Sequence, residues 1–228
     1  MFQPFGELPN LARIRKPFQA TTMRVPIMAI AYGILVNSDL VKPQDEPKRW
    51  ADLADPKWKG KILADDVRAL GGGSAFFFVM QNTYGRGFHE KLAANDLNWT
   101  RNLQDAMLRI GRGEYPIWVP QAINNFPPLK GLPVRFVIPE DGYFYVSYEV
   151  AMLKNAPHPN AARLMMDFFL SDESQLIHAN AGNITVAQDF TEKPSDPDLA
   201  HLVAGKLLGT TEYSQQDAML ELAQQIYK

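Results

Sequence analysis

The residues best suited to chemistry lie in one short stretch, where an acidic and a basic side chain precede a run of glycines. Asp66 and Arg68 are followed by Gly72, Gly73 and Ser74, in a pattern that predicts a strand, a turn and the start of a helix. The first N–H groups of a helix have no partner inside it and lie at the positive end of its dipole. We therefore expect an anion site in which the glycines expose backbone N–H groups, the serine adds a hydroxyl and the arginine pairs with a carboxylate or phosphate. The alternative is a plain loop in which the serine only caps the helix.

A second candidate site follows the strand predicted over residues 115–119. Gln121 and Asn124 carry amide side chains that can hydrogen-bond an organic ligand. The alternative is that these amides only cap a helix predicted over residues 121–129.

Catalytic and metal-binding motifs are absent from the sequence. The four histidines are scattered without metal-ligand spacing, and there is no cysteine to serve as a nucleophile or thiolate ligand. The adjacent pairs Asp65-Asp66 and Glu140-Asp141 should point their side chains apart, which disfavours a catalytic carboxylate pair. No Ser-His-Asp order, phosphate-binding lysine loop or dinucleotide fingerprint is found. We expect no enzymatic activity, no cofactor and no metal.

Composition restricts the class of protein further. With 228 residues, 46% of them hydrophobic, the chain can bury a large core. A net charge of −2 without a concentrated basic face argues against a nucleic-acid partner. No apolar run approaches the roughly 20 residues of a membrane span, so we expect no direct membrane insertion. The first residues lack the pattern of a signal peptide and open in a loop.

Strand and helix patterns alternate through the middle of the chain, which predicts a parallel or mixed sheet covered by helices. The last third of the chain is expected to be mainly helical. The predicted strands are 61–64, 115–119, 134–138 and 143–153, with a buried strand pair in 24–37. The predicted helices are 72–84, 85–95, 101–110, 121–129, 157–170, 171–181 and 213–227.

Several short motifs, in one order, resemble a known family. They are Trp50-Ala-Asp-Leu53, Asp55-Pro-Lys-Trp58, the glycines after Arg68, Arg112-Gly-Glu-Tyr-Pro116, Pro139-Glu-Asp-Gly142, Leu153-Lys-Asn-Ala-Pro-His-Pro-Asn160 and Phe168-Phe-Leu-Ser171. Together they resemble the ferric-iron-type group of extracellular solute-binding proteins of ABC importers, which are type II periplasmic binding proteins. The resemblance covers roughly residues 21–190. The family has a longer first lobe than these residues provide, so we expect an N-terminally truncated member.

The resemblance implies an α/β, periplasmic-binding-protein-like fold of two lobes joined by crossover strands, with the first lobe incomplete. Residues 1–36 and 143–228 are expected to form the remainder of the first lobe, with the hinge strands and C-terminal helices. Residues 37–142 are expected to form the second lobe. The resemblance further implies a periplasmic location, a small-molecule ligand held in an interlobe cleft, and docking to the membrane permease of the importer.

The crossover adds the third group of candidate ligand contacts. Arg24 is an expected anion contact, and Tyr145 and Ser147 lie on the returning strand where they could line the cleft. For the tyrosine, the alternative is a half-buried aromatic of the sheet.

The resemblance also bears on the kind of ligand. Iron-binding members of the family carry adjacent tyrosines near residues 120–125, whereas this chain has amide side chains and no tyrosine there. Ferric iron is therefore not expected. The leading hypothesis is a non-enzymatic receptor for a small organic anion, namely a carboxylate, phosphonate or phosphate ester. The alternatives are a ligand-sensing module for a membrane signalling partner and an enzyme on the same fold.

Overall fold

A computed structural model describes residues 1–228 as a mixed α/β structure. The strands are β1 (Phe2–Gln3), β2 (Arg24–Asn37), β3 (Ile62–Asp65), β4 (Asn98–Thr100), β5 (Ile117–Ala122), β6 (Val134–Val137), β7 (Tyr143–Leu153), β8 (Ile184–Thr185) and β9 (Leu207–Gly209). The helices are α1 (Gly72–Tyr84), α2 (Arg86–Ala93), α3 (Leu103–Gly111), α4 (Pro159–Phe168), α5 (Asp172–Asn180), α6 (Pro197–Val203) and α7 (Gln216–Ile226). None of these helices has the length and apolar character needed to cross a membrane.

The chain divides into two compact units. The first contains Met1–Ile30 and Val146–Val203, and the second contains Ala31–Tyr145 and Ala204–Lys228. The long strands β2 and β7 each contribute residues to both units, and the chain crosses a third time after α6.

The first unit combines short antiparallel pairings with helices α4 to α6. Strand β1 pairs with the end of β7, and β8 pairs with the first half of β2. Gln175 of α5 is completely buried; its amide donates to the carbonyl of Ile27 at 2.9 Å and accepts from the N–H of Val186 at 2.8 Å. This one side chain therefore ties α5 to β2 and to the segment after β8.

The second unit is built on a mixed sheet with the order β6-β2-β5-β3-β4. Strand β3 runs parallel to both β4 and β5, and β5 is antiparallel to the second half of β2. Strand β3 is buried along Ile62–Ala64, as expected of a central parallel strand. Because β3 and β4 are parallel, their carboxyl ends lie at the same edge of the sheet.

Helix α1 is buried on most of its circumference. Phe76, Phe77 and Phe78 are each at most 2% exposed, and Trp50 packs against the ring of Phe76 at a centroid distance of 5.5 Å. The indole Nε1 of Trp50 donates to the carbonyl of Gly142 at 2.8 Å, which satisfies its polar atom inside the core. Burial of each phenylalanine contributes about 1.5–3 kcal/mol.

The start of α1 lies unusually close to the end of β3. A β-carbon built on Gly73 would lie 2.5 Å from the carbonyl oxygen of Asp65 and 2.7 Å from the carbonyl of Asp66. These neighbours are backbone atoms, which cannot rotate away as a side chain can. Only glycine therefore fits at position 73.

Most of the predicted elements are confirmed, with shifts of a few residues at their ends. The helix predicted over 72–84 and the strand predicted over 143–153 are found with those bounds, and residues 24–37 form one continuous strand rather than a pair. The helix predicted over 121–129 is wrong. Strand β5 continues to Ala122, and two short 3-10 turns follow, because the adjacent prolines 127 and 128 lack N–H donors and cannot lie inside an α-helix.

The C-terminal residues belong to the second unit. Helix α7 packs against α1 and α2 in that unit. The physical reason is the buried ring of Tyr227, which contacts Phe77 and hydrogen-bonds His89. The assignment of residues 143–228 to the first lobe of the family stays a prediction, and so does the equation of the two units with the lobes of the family.

The contact at Gly73 leads to a first prediction. Gly73→Ala should lower the free energy of unfolding by about 1–3 kcal/mol, because the added methyl group must push α1 away from β3. Urea unfolding followed by circular dichroism measures this change. Gly87→Ala is the matched control, since a β-carbon there meets nothing within 4 Å and alanine favours the helix α2. Equal stability of both variants would show that α1 does not need this close approach.

Candidate functional site

A pocket opens at the carboxyl end of β3, where the chain leaves the sheet and begins α1. Its volume is about 250 Å³. The end of β4 lines the same pocket, because Asp65 and Thr100 are partners in the parallel pairing of the two strands. The polar groups of the wall come from Asp65, Asp66, Thr100, Arg101 and the backbone of Gly72 and Gly73. This is the edge at which open α/β sheets bind ligands.

Two arginines share the carboxylate of Asp66. The Nε of Arg68 donates to Oδ1 at 2.8 Å and its Nη2 donates to Oδ2 at 3.3 Å. Arg101 donates to Oδ2 from Nε at 3.0 Å and from Nη2 at 2.8 Å. Partial burial opposes ionisation, but the hydrogen bonds from the two arginines outweigh it and lower the pKa of Asp66.

Asp65, beside it, has the opposite environment. Its Oδ1 accepts a hydrogen bond from the indole Nε1 of Trp118 at 3.0 Å, and no arginine or lysine pairs with it. Burial raises the pKa of Asp65 from 3.8 to about 6, although the indole hydrogen bond lowers it slightly. The pocket is therefore neutral when both aspartates are ionised, and it gains one positive charge when Asp65 is protonated.

The first turn of α1 supplies backbone donors to the same pocket. The N–H groups of Gly72 and Gly73 belong to the first turn, whose donors have no carbonyl partner within the helix. The hydroxyl of Ser74 accepts from the N–H of Gly71 at 3.1 Å and donates to its carbonyl at 3.0 Å. Ser74 thus caps the start of the helix, which is the alternative role that the sequence suggested for it. It does not line the pocket.

The structure places only part of the first predicted group at the pocket. Asp66, Gly72 and Gly73 line it, whereas Arg68 lies behind Asp66 with its guanidinium stacked 5.0 Å above the ring of Trp99. The sequence analysis missed Arg101, whose side chain is 66% exposed at the pocket. The three-residue strand β4 that positions Arg101 is too short to give a periodic signal.

The two amide residues of the second candidate site, Gln121 and Asn124, lie elsewhere in the second unit. Gln121 is 1% exposed on β5; its Oε1 accepts from the N–H of Ala122 at 3.0 Å, and its Nε2 has no partner. Asn124 is half-buried in the 3-10 turn of Ile123–Asn125. Neither lines the pocket at β3, and their role as ligand contacts stays a prediction.

The third group is divided between the two units. Arg24 is exposed at the start of β2 in the first unit and pairs with Glu149 at 3.4 Å. Ser147 also belongs to the first unit, and its buried hydroxyl has no hydrogen-bond partner. Tyr145 belongs to the second unit and is 5% exposed on β7, where burial raises its pKa. The predicted ligand contacts of these three residues are not tested by the structure.

Solved structures with the same architecture identify the fold. The apo form of ferric ion-binding protein A from Pasteurella haemolytica matches with a TM-score of 0.81 and 18% identity, over 99% of this chain and 76% of that one. A periplasmic thiamin-binding protein matches with a TM-score of 0.75 and 16% identity, over 100% of this chain and 73% of that one. At such identities the likeness shows the fold, which is the expected α/β fold of type II periplasmic binding proteins.

The family is shown by the sequence itself. Residues 1–205 match the family described as bacterial extracellular solute-binding protein, and this chain belongs to that family. An uncharacterized protein of Haemophilus influenzae is 29% identical over 92% of this chain. The match spans 64% of the length of that relative.

Replacing each of the two pocket aspartates with asparagine should change the free energy of unfolding in opposite directions. The protonated form of Asp65 is favoured in the folded state, so stability is lost as pH rises from about 4 through about 6. Asp65→Asn should therefore raise the free energy of unfolding at neutral pH by up to about 3 kcal/mol, and by nothing below pH 4. Denaturant unfolding across this pH range measures the difference between wild type and variant.

Asp66→Asn is the matched control for that measurement. Because the pKa of Asp66 is lowered by its arginines, its ionised form stabilises the fold above its ordinary pKa. The amide should therefore lower stability at neutral pH. If both variants changed stability in the same direction, the environments assigned to the two carboxyl groups would be wrong.

Proposed function

We propose that this chain is the solute receptor of an ABC importer and captures a small organic anion in the periplasm. The observation that supports this most is the pocket at the end of β3, which is lined by both Arg101 and the first residues of α1. The proposed ligand class is a carboxylate, a phosphonate or a phosphate ester. The role is binding and delivery to the membrane permease, without catalysis.

The charges of the pocket favour an anion through Arg101. One carboxylate, that of Asp66, is shared between two guanidinium groups, so the trio carries one net positive charge. Arg101 is the more exposed arginine and lines the pocket, so its remaining donors are available to a ligand. A planar guanidinium matches carboxylate and phosphate oxygens. The dipole of α1 adds to the same potential.

The protonation state of Asp65 should affect the binding of an anion. Its ionised carboxylate would repel a bound anion, whereas its protonated form would not, and its pKa of about 6 lies close to neutral pH. Anion binding and protonation of Asp65 should therefore favour each other. The receptor would take up a proton as it binds its ligand at neutral pH.

The size of the pocket limits what it holds. About 250 Å³ is smaller than the roughly 300–1,000 Å³ of sites that enclose a whole drug-sized ligand. The pocket therefore suits one anionic head group. Contacts with the rest of the ligand are the predicted role of Arg24, Gln121, Asn124, Tyr145 and Ser147, and the interlobe cleft implied by the resemblance also stays a prediction.

Ferric iron is not the ligand that we propose. Residues 120–125 offer amide groups instead of the phenolates that the iron-binding members of the family use there. Two of the matching structures are a ferric ion-binding protein and a thiamin-binding protein, so the fold by itself is compatible with very different ligands.

Calorimetry on the full chain tests the proposal. Carboxylates, phosphonates and sugar phosphates should include at least one binder, and mass spectrometry of molecules released on denaturation should identify a natural one. Arg101→Gln should weaken binding of that anion about tenfold or more, since a hydrogen bond to a charged group contributes about 1.5–3 kcal/mol. Arg86→Gln is the control, because Arg86 is an exposed arginine that pairs only with Glu90. Binding of polyamines with no response to any anion would contradict the proposal.

A further inference from the structure

Arg68 is held by three separate contacts, one with Asp66 of the pocket wall and two with residues outside the wall. Its guanidinium forms a bidentate salt bridge with the carboxylate of Asp66 and lies 5.0 Å above the indole of Trp99. Its backbone carbonyl accepts a hydrogen bond from Nε2 of Gln224 in α7, at 3.3 Å. The pocket wall at Asp66 is thus linked through Arg68 to strand β4 and to the last helix of the chain.

Trp99 is in turn held by the end of that helix. The ring of Tyr227 meets the indole edge-on, at a centroid distance of 5.3 Å and an interplanar angle of 89°. Such perpendicular aromatic pairs are favourable beyond their buried area. The indole therefore lies between a guanidinium and a tyrosine ring, which restricts its rotation.

The hydroxyl of Tyr227 is anchored in the core. It lies 2.8 Å from Nδ1 of His89, and Nε2 of His89 lies 3.2 Å from the carbonyl oxygen of Phe77. Burial lowers the pKa of His89 to about 4, so the ring is neutral at pH 7. Because a carbonyl can only accept, Nε2 carries the proton, and Nδ1 accepts from the tyrosine hydroxyl. The ring of Tyr227 is fixed by this bond.

We propose that Trp99 and Tyr227 are positioning residues for the anion pocket: they hold Arg68 against Asp66 and so leave the charge of Arg101 available to the ligand. The inference rests on the proposed function for its ligand and on the contacts above for its geometry. Neither residue lines the pocket.

The electrostatic reason is the sharing of one carboxylate by two arginines. While Arg68 satisfies part of Asp66, Arg101 is only partly neutralised. If Arg68 turned away, Asp66 and Arg101 would form a simple pair without net charge. The net charge around the pocket would then fall by one unit without the loss of any residue of its wall.

The test compares Trp99→Leu with Trp99→Phe in the full chain. The leucine removes the aromatic face, so Arg68 should loosen and the pKa of Asp66 should rise towards its ordinary range, as followed by carboxyl-carbon NMR. Phenylalanine keeps an aromatic ring that can contact both the guanidinium of Arg68 and the ring of Tyr227. The pKa of Asp66 in Trp99→Phe should therefore stay close to the wild-type value. Tyr213→Leu is the control, since Tyr213 is an 81% exposed ring just before α7.

Methylphosphonate titration is the second measurement. Trp99→Leu should weaken its binding about two- to fivefold, which is the range expected for one cation–π contact, and Trp99→Phe should bind nearly as wild type. If wild type binds none of the anions tested, the proposed function fails, while the pKa of Asp66 still decides the positioning role.

The pKa result overturns the inference in either of two cases. The first is an identical pKa of Asp66 in wild type and Trp99→Leu. The second is an equal shift of that pKa in the leucine and phenylalanine variants, which would indicate only lost packing. If Trp99→Leu does not fold, Arg68→Lys replaces it as the test. Lysine keeps the positive charge, but it cannot form the bidentate pair with Asp66 or stack on the indole of Trp99. The pKa of Asp66 should therefore rise again. An unchanged pKa in Arg68→Lys would overturn the inference equally.

Discussion

The contact between the first turn of α1 and the end of β3 determines the geometry of everything around the pocket. It exists because position 73 has no side chain, so the helix backbone reaches the carbonyl groups of Asp65 and Asp66. The same contact aims the free N–H groups of the helix at the edge where β3 and β4 end. A larger residue would move the helix dipole away from the space that Arg101 faces.

The two adjacent aspartates at the end of β3 have different physical roles. Asp66 is an ionised anchor that organises two arginines, and its charge is compensated inside the wall. Asp65 is half-buried without a paired cation, and its ionised form costs stability at neutral pH. Carboxyl groups kept in such unfavourable surroundings are concentrated at functional sites, where a ligand or a proton relieves the cost. The pocket therefore combines a source of positive potential with a group that responds to it.

The second unit also shows how distant residues can support a site. Gln224 of the last helix contacts Arg68, and Tyr227 just after that helix contacts Trp99 and is held by its hydrogen bond to a neutral, buried His89. The C-terminal residues therefore belong to the same structural unit as the pocket.

The sequence predicted the local parts of this site and missed those that depend on tertiary pairing. The strand, the glycines and the helix of residues 61–84 follow from local chemistry, and so do Asp66 and the backbone donors. Arg101 reaches the pocket only because the three-residue strand β4 pairs in parallel with β3, and three residues carry no periodic pattern. The environment of Asp65 depends on Trp118, a residue 53 positions away in sequence. The helix predicted at 121–129 does not form, because Pro127 and Pro128 lie within that range and lack the N–H donors that an α-helix needs.

The most direct measurement is a backbone and arginine side-chain NMR titration of the full chain with the anion that calorimetry identifies. The account predicts that the amide signals of Gly72 and Gly73 and the Nε signal of Arg101 shift most, and that all three follow one binding curve. Saturating binding of that anion with these three signals unmoved and the shifts located elsewhere would contradict it.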